Sequence, residues 1–291
     1  MSEHSSTSAQ KASIGYTAYM TAAVRAHESL REDRLFTDPW AAALAGAEGE
    51  RRFRQLEDAG GSIIVRTRFF DDFVQRIVNE QGIRQLVMPA CGLDTRAFRL
   101  EWPPAMTVFE LDQPDVLHYK EGILQAQQAR PGCRRHLIPA DLTETSWPTH
   151  LLEAGYDPAL PAIWLVEGLL FYLPNEAIHQ LLGLISKLSA PQSWLAFDAI
   201  HSAMTSSPLT RQRMERVSRL GVPWIGTIDD PVSLLASLGW QATVTSTARK
   251  GYEYNRPVYP FISSDQLTPE TEKLYHWLVT AVRQSQVVQQ G

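Results

Sequence analysis

LVMPACGLDTRAFRL, residues 86–100, is the stretch on which the fold turns. Its apolar opening reads as a buried strand that runs straight into a turn at Gly92. A second apolar run follows, with Glu110, 18 positions after Gly92, at its end. In a doubly wound sheet the glycine turn lets backbone approach a ligand, and an acid at the tip of the next strand accepts from both hydroxyls of a ribose. The turn holds one glycine, whereas a pyrophosphate needs G-x-G-x-x-G for close approach. The spacing therefore predicts a nucleoside ligand without phosphates.

Outward from this stretch, short apolar runs alternate with longer amphipathic ones. The runs are Gln85–Pro89, Thr107–Leu111, His136–Ala140, Ala162–Val166, Trp194–Phe197 and Ala242–Ser246. Between them, Pro174–Leu188 places Ile178, Leu181, Leu182, Ile185 and Leu188 on one helical face. Asp230-Pro231 opens a short helix that Gly239 ends. Such alternation predicts an α/β fold, a doubly wound, mostly parallel sheet covered on both faces. Residues 1–12 read as disordered and 13–81 as a helical cap over the strand ends. The rest, 82–291, reads as the sheet core with Thr268–Arg283 as a C-terminal amphipathic helix, all in one domain.

Bulk properties narrow the function. A chain of 291 residues, 44% hydrophobic, buries a substantial core, and its formal charge of −5 argues against a nucleic-acid partner. Cys91 and Cys133 make no disulfide framework and have no metal-ligand spacing. Cys91 in the turn reads as a small buried side chain, with a nucleophile as the rival reading. MSEHSSTSAQKAS has no apolar segment of a secretory signal. The apolar run Ala162–Leu173 is broken by Glu167 and is too short to span a bilayer. A cytoplasmic protein without a membrane partner is expected.

Ligands of an open parallel sheet bind outside the carboxyl ends of its strands. Those ends are Ala90–Arg96, Glu110–Asp112, Asp141-Leu142, Glu167-Gly168 with Tyr172 beyond, and Asp198 followed by His201. Acids recur there, and a carboxylate at a strand end needs solvent or a partner. Glu110 is assigned to a ribose. Asp141 suits an adenine amino group and is also placed to cap the next helix, which starts DLTET. Glu167 breaks an apolar strand and so needs either a partner or a ligand. Asp94 and Arg96 read equally as helix-start residues and as site residues. S-adenosylmethionine is the cofactor that meets these requirements.

The run GLDTRAFRL, the acidic ELDQPDVLHYK, the ADL at the third strand and VEGLLFYL at the fourth together resemble the leucine carboxyl methyltransferase family. They are most similar to its bacterial branch of tetracenomycin-type polyketide carboxyl O-methyltransferases. TAYMTAAVRAHES, FTDPWA and VRTRFFDDFV resemble that family's N-terminal region, so the resemblance runs from about Thr17 to Leu173. Fainter echoes occur at Leu238-Gly239-Trp240 and Asn255-Arg256-Pro257. The resemblance implies a Rossmann-like, seven-stranded methyltransferase sheet, S-adenosylmethionine as donor and an oxygen acceptor, commonly a carboxylate. It also implies that Arg66 holds the donor's methionine carboxylate, Gly92 passes its backbone beside the methionine portion, and Asp141 with Leu142 meets the adenine edge. The first glycine of the family's GxG turn is Ala90 here, preceded by Pro89. Outside the resemblance, Arg66 has Asp71 as a rival partner, while Arg68 and Asp72 stand at i,i+4.

The acceptor determines whether a base is needed. A carboxylate, with a pKa of about 4, arrives ionised, whereas a phenol, near about 10, gains from general-base catalysis. His201 is the histidine placed for that role, and Tyr172, Tyr254, Arg256 and Tyr259 are candidates to line the acceptor pocket. The leading expectation is methylation of a small-molecule carboxylate in specialised metabolism. Alternatives are a phenol or other hydroxyl acceptor, a protein C-terminal carboxylate, and a non-catalytic nucleoside-binding relative. A dehydrogenase lacks its pyrophosphate glycines.

Overall fold

The computed structural model describes residues 17–56, 60–219, 221 and 223–285. The expected disorder of residues 1–12 lies outside this range. Three helices come first: α1 over 17–29, α2 at Ala41–Phe53 and α3 at Gly61–Glu80. Then strands and helices alternate: β1 Gln85–Pro89, α4 Arg96–Arg99, β2 Thr107–Asp112, α5 Pro114–Ala126, β3 Arg134–Pro139, α6 Trp147–Glu153, β4 Ile163–Val166, α7 Asn175–Lys187 and β5 Trp194–Ala199. The C-terminal part adds α8 Ser202–Ser206, α9 Arg211–Arg219, α10 Pro231–Ser237, β6 Trp240–Ser246, α11 Thr247–Glu253, α12 Pro269–Glu272 and β7 Trp277–Arg283.

The seven strands form one sheet in the order β3-β2-β1-β4-β5-β7-β6. Strands β1 to β5 pair in parallel, and β7 runs antiparallel to both β5 and β6. Successive side chains of a strand point to opposite faces. Accordingly Val87 joins the core beneath α7, with Trp164, Leu181 and Ile185, while Leu86 and Met88 join the core beneath α3, with Phe70, Phe73 and Ile77. A third cluster, Ala22, Ala23, Leu44, Leu93 and Leu124, ties α1 and α2 to the turn after β1 and to α5. α1 and α2 are thereby seated by the turn at the carboxyl end of β1, whereas α3, included in the expected cap, covers one face of the sheet. Asp230 caps α10 by accepting from Ser233 N, and Gly239 ends that helix with φ +80°.

One expectation is overturned. Thr268–Arg283 is not a helix: only Pro269–Glu272 is helical, and WLVTAVR becomes β7 between β5 and β6. An interior strand covered on both faces is apolar on both, so its side chains carry no alternation that periodicity could separate from a helix. Among the described residues no helix is long and apolar enough to cross a membrane.

Candidate active site

The strand order reverses between β1 and β4, and two cavities meet above that point. The first, of about 800 Å³, lies on the β1 turn. Ala90 and Gly92 both adopt left-handed backbone, φ +55° and +51°, so Ala90 makes the turn the family's glycine would make. The turn is pinned by Asp112 at the end of β2, whose Oδ2 accepts from Gly92 N at 2.6 Å and whose Oδ1 accepts from Gln113 N at 2.7 Å. Burial pushes the Asp112 carboxyl up, against the pull of those two amides.

Glu110 is not at this cavity. It lies two residues before the end of β2, on the same face as Asp112 but about 7 Å deeper, at ~3.3 Å per residue. Its side chain is fully buried, and Oε2 accepts from Lys120 Nζ at 2.7 Å and Arg135 Nη2 at 2.8 Å. The acid at the strand tip, lining the cavity, is Asp112.

Arg66 and Glu167 both line the first cavity, bound to each other. Arg66 Nε donates to Glu167 Oε1 at 2.9 Å and Nη1 to Asp198 Oδ2 at 2.6 Å. Arg96, 1% exposed, donates through Nη1 to Glu167 Oε2 at 2.7 Å and to Asp94, and through Nε to Asp71 at 2.7 Å. Asp71 is therefore Arg96's partner, with Arg99, rather than Arg66's, while Arg68 pairs with Asp72 at 2.8 Å on the helix surface. Burial alone would raise Asp94 and Asp198, but Arg96 beside the first and Arg66 and His276 beside the second hold each carboxyl at about 2. The resulting lattice of opposite charges fixes the arginine forks before any ligand arrives.

Asp141 and Leu142 follow β3, whose next residue, Ala140, donates its N–H to Asp112 O at 2.9 Å. They stand at the rim, beside the Asp112 corner and outside the lining of the first cavity. Asp141 Oδ1 accepts from Thr143 N at 3.0 Å and Thr143 Oγ1 at 2.6 Å; it does not cap α6, which starts at Trp147 after Ser146. Cys91 is buried, with its thiol pushed well up by that burial, which removes the nucleophile reading.

The second cavity, of about 1030 Å³, is lined by Met20, Ile63, Phe171, Tyr172, Val217 and Trp224. Arg213 and Arg216 of α9, Tyr259 and His276 complete it. It shares Thr17, Thr21, Ile63, Arg66 and Gly168 with the first, so one wall, with the Arg66 guanidinium in it, borders both. Tyr172 and Tyr259 are thus lining residues of this cavity. Tyr254 and Arg256 are not: Tyr254 packs by Arg68 with its hydroxyl 3.5 Å from Asp72, and Arg256 ties the C-terminal region to Glu28 (2.9 Å) and Asp33 (3.1 Å).

His201 is also displaced from its expected role. Its Nδ1 accepts from Ala203 N at 2.9 Å and caps α8, and it lines neither cavity. The histidine of the second cavity is His276, the residue before β7, 4% exposed, with Nδ1 3.5 Å from Asp198 Oδ2. A helical reading of residues 268–283 hides it. WLVTAVR, read as a buried strand, would have put His276 at a strand end beside Asp198. Arg213 and Arg216 had no such signal, since α9 is a polar surface helix until the fold closes.

The first cavity suits a nucleoside with an amino-acid tail. It has an acid at the β2 tip for vicinal hydroxyls, an arginine fork for a carboxylate, and acids at Asp94 and Glu167 for an ammonium group. The family model of leucine carboxyl methyltransferases matches residues 18–186. A relative from Saccharopolyspora erythraea, provisionally named an S-adenosyl-L-methionine-dependent methyltransferase, is 39% identical over 84% of this chain and 89% of its own. One from Streptomyces coelicolor with the same provisional name is 36% identical over 94% of this chain and 97% of its own. The fold is similar to a crystal structure from Thermobifida fusca, provisionally named a methyltransferase, with TM-score 0.57 and 18% identity over 90% of this chain and 94% of that one. It is also similar to a DUF574 family protein from Streptomyces avermitilis, with TM-score 0.56 and 16% identity over 90% of this chain and 96% of that one. With its strand order, its β1 turn and the match over residues 18–186, the chain belongs to the leucine carboxyl methyltransferase family.

Proposed function

We propose that this S-adenosylmethionine-dependent methyltransferase esterifies a carboxylate of a small, largely apolar acid, a specialised metabolite with aromatic character. The observation that carries the reading is the second cavity. Its walls are aromatic and aliphatic, Arg213 and Arg216 add cations to the shared Arg66, and it opens onto the first cavity at Arg66 and Gly168. An arginine in an apolar cavity selects an anion, since its planar fork matches a carboxylate. Arg213 is set for this: its guanidinium lies 5.2 Å from the Trp224 ring centre and is held by Ser62 Oγ at 3.2 Å.

S-adenosylmethionine supplies an electrophilic methyl group on sulfur, which leaves as a neutral thioether when a carboxylate oxygen bonds to the methyl carbon. The protein's work is to align and to exclude water, which supplies several kcal/mol through proximity alone. Asp112 would hold the ribose, Asp141 and Leu142 would meet the adenine, Arg66 would take the methionine carboxylate, and Gly92 would pass its backbone beside the methionine portion. Asp94 and Glu167 would receive its ammonium group. Phe171, Tyr172, Trp224 and Tyr259 seat the acceptor's apolar body. A carboxylate, ionised well below neutral pH, needs no base.

A hydroxyl acceptor is the second reading, and His276 favours it, as a buried imidazole in the acceptor cavity. The two separate by product. Incubation with methyl-labelled donor and a panel of aromatic carboxylic and phenolic acids should yield an ester that mild alkali cleaves to methanol. An alkali-stable methyl ether as the sole product refutes the carboxylate reading.

A further inference from the structure

His276 has no part in esterifying a carboxylate, yet it is 4% exposed in the acceptor cavity. Phe171 and Trp224 wall the imidazole in with ring centres 5.2 and 4.9 Å away, both nearly perpendicular to it. Asp198 Oδ2 stands 3.5 Å from Nδ1, and both ring nitrogens are buried with no hydrogen-bond partner among the described residues. A buried polar atom left unpaired costs free energy comparable to a lost hydrogen bond, so such an atom in a ligand cavity marks a contact the ligand completes. The charged groups around the ring set its chemistry. Burial lowers its pKa, Asp198 raises it, and Arg213 and Arg66 lower it further, with a net downward shift that keeps the ring neutral at pH 7. With the proton on Nδ1, toward the Asp198 carboxylate, Nε2 presents a lone pair and requires a donor.

We propose that His276, oriented by Asp198, accepts a hydrogen bond from a hydroxyl of the acceptor, so that the enzyme selects hydroxylated aromatic acids over their unhydroxylated counterparts. The inference rests on the acidic acceptor proposed above and adds a second polar group to it. Arg213 and Arg216 take the anion, His276 takes the hydroxyl, and the aromatic walls take the carbon frame. His276 is a binding and positioning residue here, and no proton need leave the hydroxyl for the ester to form. The arrangement also rejects wrong acids, because an acceptor without the hydroxyl leaves Nε2 buried and unpaired.

The test compares 2-naphthoic acid with each of its monohydroxy isomers by kcat/KM for ester formation. In parallel, Kd is measured by calorimetry in the presence of S-adenosylhomocysteine, which needs no turnover. The best hydroxy isomer should exceed the parent acid about tenfold or more in both measures. His276→Phe should bring that ratio to about one, and His276→Gln, whose amide oxygen still accepts, should keep part of it. Should His276→Phe fail to fold, His276→Gln and His276→Leu are compared in the same way. A ratio near one for every isomer in the wild type, or a ratio that survives the apolar replacement, overturns the inference and leaves the carboxylate reading standing. Binding of no acid at all, or methylation of the hydroxyl alone, instead overturns the carboxylate reading; in the latter case a His276-dependent ratio still holds for the contact.

Discussion

Glu110 and Asp112 are two acids on one face of one strand, and their separation into a structural and a ligand-facing group is open to a direct test. In Glu110→Ala, Lys120 loses its carboxylate partner at 2.7 Å while remaining fully buried, and Arg135 keeps only Glu121, at 2.6 Å. Removing one member of a buried pair costs about 3–5 kcal/mol, because the remaining charge stays desolvated. At about 2–4 °C per kcal/mol for a protein of this size class, the melting temperature should fall by roughly 6–20 °C. Affinity for S-adenosylhomocysteine, measured by calorimetry at low temperature where the variant is folded, should change by less than threefold. Asp112→Ala should do the reverse to the ligand: two hydrogen bonds to a charged acceptor are lost, about 3–6 kcal/mol at ~1.5–3 each, or roughly 160- to 25,000-fold in Kd. The double variant Glu110→Met/Lys120→Met should recover much of the stability, since apolar replacement of a buried pair is often neutral. A Glu110→Ala protein that melts like the wild type but no longer binds S-adenosylhomocysteine would refute this reasoning and return the ribose to Glu110.

Arg66→Lys keeps the charge but loses the fork, so S-adenosylhomocysteine should weaken at least tenfold while adenosine, which has no carboxylate, binds both forms alike; calorimetry with the two ligands decides it. His201→Ala removes the cap on Ala203 N, and should cost about 1 kcal/mol in denaturant unfolding with no effect on the pH profile of methyl transfer; a lost rising limb in that profile would return His201 to catalysis. Asp94 and Asp198, held at about 2 against 3.8 when free, stabilise the folded chain above the unfolded pKa, and that stability is lost as pH falls from about 5 toward 2. The two together contribute on the order of 4–5 kcal/mol at neutral pH. Urea titrations from pH 6 to 2.5 should show the decline, and Asp94→Asn should flatten it.

The fold and the donor cavity were largely legible because their signals are local. A strand, a left-handed turn at Gly92 and an amphipathic helix such as α7 are each set by residues a few positions apart, and parallel β-α alternation confines the ligand to the strand ends. Arg66, Gly92 and Glu167 could be placed on that cavity from motif and strand end alone. The choice between Glu110 and Asp112 could not, because both share a face and only the observed end of β2 shows which reaches the cavity. The second cavity, proposed above for the acceptor, is mostly a tertiary product, although Tyr172 and Tyr259 were legible as candidates for it. β7 enters the sheet between β5 and β6, some 80 residues after β5, and sets His276 against Asp198. A polar helix, α9, brings Arg213 and Arg216 over Phe171 and Trp224, and nothing local to that helix marks it. Backbone propensity and side-chain period act over one or two turns of chain, whereas a cavity exists only where distant segments close on one another, so the sequence by itself determined the sheet and its donor end, and packing decided what the acceptor meets.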